Sequence, residues 1–306
     1  MSLLVASLYL LCLAFLFGSA LYVYSRDPFD RLNSSFALLA LTLLGWVGTL
    51  FVFTAEADSP ALLWLGRANF TAAALAAPVA WHFVQTLAQK RRRTSPLLWS
   101  EVSVVALLSL LTGAVDRAEI VQAGVHITTY GWLFPLYVVH ILFFTLLALQ
   151  TAFQPAPHFG SQTRIQLRLV GLGIFATVAV GFVADALLPY VYGNFRYIHV
   201  GTLSTIFFLA AIAYAASVHH LFNVRVLLRA TFIFTALIAF ALELYQIAVE
   251  FLTHLLPLGD PSQRHVAAAT IALIVNAFTH EPLRWQLERL ADKFMKEKSC
   301  RTHIRK

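Results

Sequence analysis

The 306-residue chain is 59% hydrophobic and only 12% charged, with a mean hydropathy of +0.73. Soluble domains carry roughly a quarter charged residues and slightly under half apolar ones, so composition excludes an ordinary soluble domain and points to the bilayer. The net charge of +7 would raise nucleic acid as a partner for a soluble protein. Here the basic residues lie between apolar runs and in the C-terminal stretch, where positive-inside topology and anionic lipid account for them, and no nucleic-acid partner is expected.

The chain opens Met1-Ser2-Leu3-Leu4, and its first basic residue, Arg26, follows the first apolar run instead of preceding it. A secretory signal has the opposite order, so this run is expected to stay as a span with its N-terminus outside. Further spans follow over 35–53, 61–87, 97–115, 132–153, 165–189, 198–219, 226–256 and 265–279. All but the last, at 15 residues, are long enough to cross hydrocarbon upright, and they are apolar on most faces. None shows the alternation of an outer-membrane barrel strand. The link between the fourth and fifth spans holds Asp116, Arg117, Glu119 and His126.

The expected architecture is therefore all-α, a polytopic transmembrane helical bundle of about nine spans. It divides into a seven-helix unit over 1–220, a helix pair over 221–281 and an amphipathic linker and tail over 282–306. With the N-terminus outside, only Arg67, Arg117, Arg196 and Arg264 of the 22 lysines and arginines fall on the outer side. The Lys90-Arg91-Arg92-Arg93 run is the strongest inner marker, and the C-terminus is cytoplasmic.

Cys12 lies in the first span and Cys300 in the tail, which excludes a disulfide between them. No CxxC and no His/Cys spacing resembles a metal site; no metal and no cofactor is expected. His82, His140, Asn69 and Asn276 within spans read as interhelical hydrogen-bond partners. Glu101 is expected to reach the basic stretch from Lys90 to Arg93.

Ionisable groups cost several kcal/mol at membrane depth, so each needs a reason. Glu243, Gln246, Glu250 and His254 in the eighth span are spaced to share one helical face. They read either as a polar seam lining a ligand pocket or proton-sensitive switch, or as a face packed against other polar groups. Asp185, near the outer end of the sixth span and just before Pro189, is the second candidate. Tyr190, Tyr192, Tyr197 and His199 follow it, and with Tyr130 and Trp132 they form either an outward-facing crown or the aromatic belt of a membrane interface.

The stretch Ala213-Tyr214-Ala215-Ala216-Ser217-Val218-His219-His220-Leu221-Phe222-Asn223-Val224-Arg225, continuing to Arg229, resembles the exit from the N-terminal seven-helix region of bacterial sensor histidine kinases. The stretch Glu281-Pro282-Leu283-Arg284-Trp285-Gln286-Leu287-Glu288-Arg289-Leu290-Ala291-Asp292-Lys293-Phe294 looks like the linker of polytopic quorum-sensing kinases. The Gly45-Trp46 pair and the region from Asn69 to Pro78 fit the family loosely. The resemblance implies a sensing input module that acts as a homodimer in the bacterial inner membrane, with a small extracellular or membrane-borne ligand. Arg225, Arg229 and Pro282 are the implied signal-transmission residues, with Leu283, Leu287, Leu290 and Phe294.

Those four apolar residues also form an a/d-like stripe, suited to pairing with a twin helix or to lying on the membrane surface. The family's phosphoacceptor hairpin and ATP-binding boxes are missing from this sequence. His280-Glu281 is followed at once by Pro282, and no GxGxxG or Walker pattern occurs. The chain by itself is expected to have no kinase activity. A transporter and a membrane-embedded transferase are the rival readings; the first would show paired broken helices in inverted repeats, the second a cluster of Asp, His or Arg at one face.

Overall fold

A computed structural model of the protein describes residues 3–55, 60–89, 96–122, 125–154 and 160–219, together with 267, 270 and 271. The chain divides into two compact units, Met1–Arg225 and Val226–Lys306. The first unit holds the helices and strands between Leu3 and His219. The eighth-span residues Glu243, Gln246, Glu250 and His254 lie outside the described residues, as do Asn276, Arg225, Arg229, Pro282, Leu283, Leu287, Leu290 and Phe294.

The first three helices are α1 (Leu3–Arg26), α2 (Arg31–Ala55) and α3 (Ala61–Leu87). The turn between α1 and α2 is set by Asp27, whose Oδ1 accepts the backbone N–H groups of Phe29 and Asp30. Asp30 then caps α2, accepting the Asn33 N–H at 2.9 Å, the role a short acidic side chain plays at a helix start. Helix α4 (Pro96–Leu111) begins on a proline, which lacks only an N–H that the first turn would leave unpaired.

The link expected to be loop is a β-hairpin, β1 (Asp116–Gln122) with β2 (Val125–Tyr130). This corrects the all-α expectation. The segment is rich in β-branched residues, with Ile120, Val121, Val125, Ile127, Thr128 and Thr129, and such residues favour a pleated surface. The register sets Glu119 opposite Thr128 and Ile120 opposite Ile127, with an irregularity at Arg117.

After the hairpin come α5 (Phe134–Phe153), α6 (Ser161–Gly181), a π-helical segment (Phe182–Leu187), α7 (Leu188–Tyr192), α8 (Ile198–Leu203) and α9 (Thr205–His219). Pro189 explains the π-helical segment. It offers no N–H to the carbonyl of Asp185 four residues back, and the ladder shifts so that Leu188 N–H bonds to Val183, five residues back. Such bulges mark functional sites in many helices. Gly193, at φ +61°, closes α7, with its N–H and that of Asn194 returning to Pro189 and Leu188. This is the left-handed stop that glycine allows.

Helices α1, α2, α3, α5, α6 and the α8–α9 pair pack in sequence, and α8 closes the ring by meeting α1 and α2; α4 lies against α3. Among the described residues six helical stretches are long and apolar enough to cross a membrane, and α4 is a shorter apolar helix. Leu136, Val139, Phe143 and Leu146 on α5, and Val104, Leu107 and Leu111 on α4, are exposed at spacings of three and four. Each set makes an apolar stripe facing away from the bundle, where a soluble helix would be polar. The protein is a multi-pass helical membrane protein.

Candidate functional site: a cavity beneath the hairpin

Within the ring lies a cavity of about 190 Å³. Its origin is local. The sequence Ala72-Ala73-Ala74-Leu75-Ala76-Ala77 gives α3 a face of small side chains, and Ala73, Ala76, Ala77 and Ala80 line the space without filling it. Opposite walls come from α2, α5, α6, the π-helical segment, α8 and, through Phe208, α9, and α1 and α4 supply none of the lining.

Two carboxyl groups line this largely apolar and aromatic space, Asp185 and Glu119, beside the neutral polar side chains of Asn69, Thr128, Thr145, Thr177 and Thr202. Asp185 sits on the π-helical segment that Pro189 imposes. Its Oδ1 is buried with no hydrogen-bond partner, and its carboxyl group lies against the Cα of Gly201 on α8, where any Cβ would collide with it. Only glycine at 201 leaves room for this approach. Thr145 Oγ1, also lining the cavity, is likewise buried without a partner.

Glu119 enters from the hairpin. Thr128, its cross-strand neighbour, donates its hydroxyl at 2.9 Å. Beside Glu119, fully buried Asp116 brings a second carboxyl group to the same point on α3: a Cβ on Gly66 would lie 2.6 Å from Asp116 Oδ2 and 2.7 Å from Glu119 Oε1. Arg67 of α3 donates its Nε–H to the Asp116 carbonyl at 3.3 Å. Burial raises the Asp116 carboxyl above its ordinary range, against the pull of Arg67. Burial, and next the charge of Asp116, push Glu119 up. Burial draws His126 below the ordinary imidazole range, and its ring lies 4.8 Å from that of Phe53 on α2.

Of the aromatics expected as crown or belt, Tyr130 and Tyr190 pack together at 5.6 Å, with Phe134 between them at 4.0 and 4.9 Å. Trp132 and Tyr192 remain exposed. His199 lies away from the cavity lining; its Nδ1 is 3.3 Å from the Tyr9 hydroxyl, tying α8 to α1. Asp185 and His199 thus come from neighbouring elements without forming a bonded pair.

The other intramembrane polar groups join helices. Asn69 donates to the Trp46 carbonyl at 2.9 Å and to Thr49 Oγ1 at 3.1 Å. His82 meets the Trp99 ring edge-on at 6.0 Å. His140 contacts Glu101 at 2.7 Å through Nδ1 and the Ala74 carbonyl at 3.0 Å through Nε2; the basic run 90–93, the partner expected for Glu101, lies outside the described residues. Among the described residues no three His, Cys, Asp or Glu side chains converge as metal ligands. Sequence reasoning missed Glu119 and Thr128 as cavity residues. The β-branched alternation of 116–130 was the available signal, since it places both on one face of a hairpin.

Comparison with known protein families, curated proteins and solved structures finds no match to this chain.

Proposed function

We propose that the chain is the membrane-embedded, ligand-sensing input module of a receptor of the sensor histidine kinase type, set in the bacterial inner membrane with the hairpin on the outer face. The observation carrying this reading is the cavity, walled by α2, α3, α5, α6, α8 and α9, roofed by the hairpin and lined by Asp185, whose Oδ1 is buried without a partner. A concave, mostly apolar space with a few placed polar groups is the usual form of a small-molecule site. The kinase-like junctions around Phe222-Asn223-Val224-Arg225 and Pro282 supply the direction of the signal, from cavity to the cytoplasmic linker of a homodimer. A ligand moves that linker only by binding two arrangements of the bundle with different affinity.

Filling the cavity from within tests this. Single cysteines replacing Leu283, Leu287 or Leu290 are oxidatively cross-linked in membranes, in chains carrying Ala73→Phe inside the cavity or Leu41→Phe on the exposed side of α2. The expected result is a changed cross-linking pattern with Ala73→Phe and the parent pattern with Leu41→Phe. Identical patterns in all three backgrounds, with all three correctly inserted, overturn the reading.

A further inference from the structure

The cavity's walls define the chemistry of what it takes. Among the described lining residues there are two acids, Asp185 and Glu119, and no Lys, Arg or His. Arg67, which offsets Asp116, is not in the lining. An anionic ligand would therefore meet two carboxyl groups and no cationic side chain to pair with in a space of low dielectric. Aromatic rings, including Trp46, Phe70, Tyr137 and Phe182, make up much of the remaining wall. Ring faces attract cations, and acidic groups combined with aromatic walls form the common receptor for organic ammonium groups. Asp185 Oδ1 adds a buried acceptor with no donor of its own, and an ammonium N–H would satisfy it with a charge-assisted hydrogen bond.

We propose that the cavity binds an organic cation, an amine or ammonium group on an apolar body, with the nitrogen at Asp185 and the body against the aromatic and alanine-lined walls. This rests on the reading of the cavity as the ligand site. The small side chains of α3 leave room for an aliphatic body, and Glu119 at the hairpin end brings a second carboxyl group to the lining.

Bromine quenches indole fluorescence on contact, and Trp46 lines the cavity, so quenching present in the parent protein and lost in Trp46→Phe reports occupancy. The full chain in lipid nanodiscs at pH 7 is titrated with 6-bromohexylamine, which arrives from water, and with 12-bromododecylamine, which arrives from the bilayer. The comparison probes are 12-bromododecanol and 12-bromododecanoate. The expected result is Trp46-dependent quenching by an amine at a concentration about tenfold or more below that of the alcohol, with none by the carboxylate. Asp185→Asn should raise the amine midpoint about tenfold and leave the alcohol unchanged. Quenching by the alcohol or carboxylate equal to that of the amines, or an amine midpoint indifferent to Asp185→Asn, overturns the cation proposal and leaves the cavity a ligand site. No Trp46-dependent quenching by any of the four probes overturns the ligand site itself. Should Asp185→Asn fail to fold, the ranking of the probes on the parent protein decides.

Discussion

At the residue scale, the Asp116–Glu119 pair makes the docking of the hairpin on α3 depend on pH. Both carboxyl groups are raised by burial, Asp116 against the pull of Arg67 and Glu119 further by the charge of Asp116. The docked hairpin therefore holds protons that the undocked carboxyls would release. Docking is strongest in acid, below the ordinary carboxyl range near about pH 4, and is lost progressively as pH rises through the raised values. For one proton the slope is at most about 1.4 kcal/mol per pH unit. Hydrogen exchange at Ile120 and Ile127, paired across the hairpin, should show protection falling from pH 5 to pH 9 after correction for intrinsic rates, and Glu119→Gln should flatten the trend. Protection that is level with pH in the parent protein would show that no shared proton holds the hairpin down. Composition exposed these two acids as polar residues in a link. Their meeting over Gly66 was not legible, because it depends on the strand register and on the absence of a Cβ across on α3.

At the element scale, two prolines inside spans raise the same problem and receive different answers. Pro189 leaves the Asp185 carbonyl without its usual donor, and the backbone responds by shifting to a π-helical segment. Pro78 does the same to Ala74, and there His140 of α5 supplies the missing donor at 3.0 Å. Because a carbonyl only accepts, Nε2 carries a hydrogen, and the 2.7 Å contact of Nδ1 with Glu101 holds one further proton between the two groups. Three helices are thereby joined through one imidazole. His140→Phe should destabilise the bundle by about 0.6–2 kcal/mol, and Pro78→Ala, which restores a backbone N–H, should remove most of that loss. A steric-trap or mild-detergent unfolding cycle measures it. An equal effect of His140→Phe with alanine at 78 would show that the carbonyl is not what the histidine serves. The sequence made His140 legible as an interhelical partner, but not its partners, since Glu101 and Ala74 come from two helices whose order around the ring no local pattern encodes. The hairpin was missed for a related reason: spans announce themselves by hydropathy, whereas a short polar strand pair between them competes with the equally polar loop.

At the scale of the whole molecule, the long helices among the described residues were readable to within about four residues at each end, because in hydrocarbon the backbone has to satisfy itself and apolar length then sets each element. The span expected over 61–87 coincides with α3 (Ala61–Leu87). The cavity was not readable, since a void arises from what small side chains fail to fill once helices are packed. Arg26 ends α1, Arg31 begins α2, and Arg164 and Arg168 lie in the first turns of α6, so these four share one end of the bundle. The hairpin lies at the other end, where His126 meets Phe53 near the close of α2 and Tyr130 meets Tyr190 near the close of α7. In the topology proposed above, positive-inside insertion would put the hairpin outside the cell. Phe29, 94% exposed between α1 and α2, and Trp132, 79% exposed after β2, sit at the two ends and make matched probes. In a Cys300→Ser background, with Cys12 buried, a membrane-impermeant maleimide applied to intact cells should label Trp132→Cys and spare Phe29→Cys. Phe29→Cys should react only after permeabilisation. The reverse pattern would turn the bundle over and place the hairpin on the cytoplasmic side.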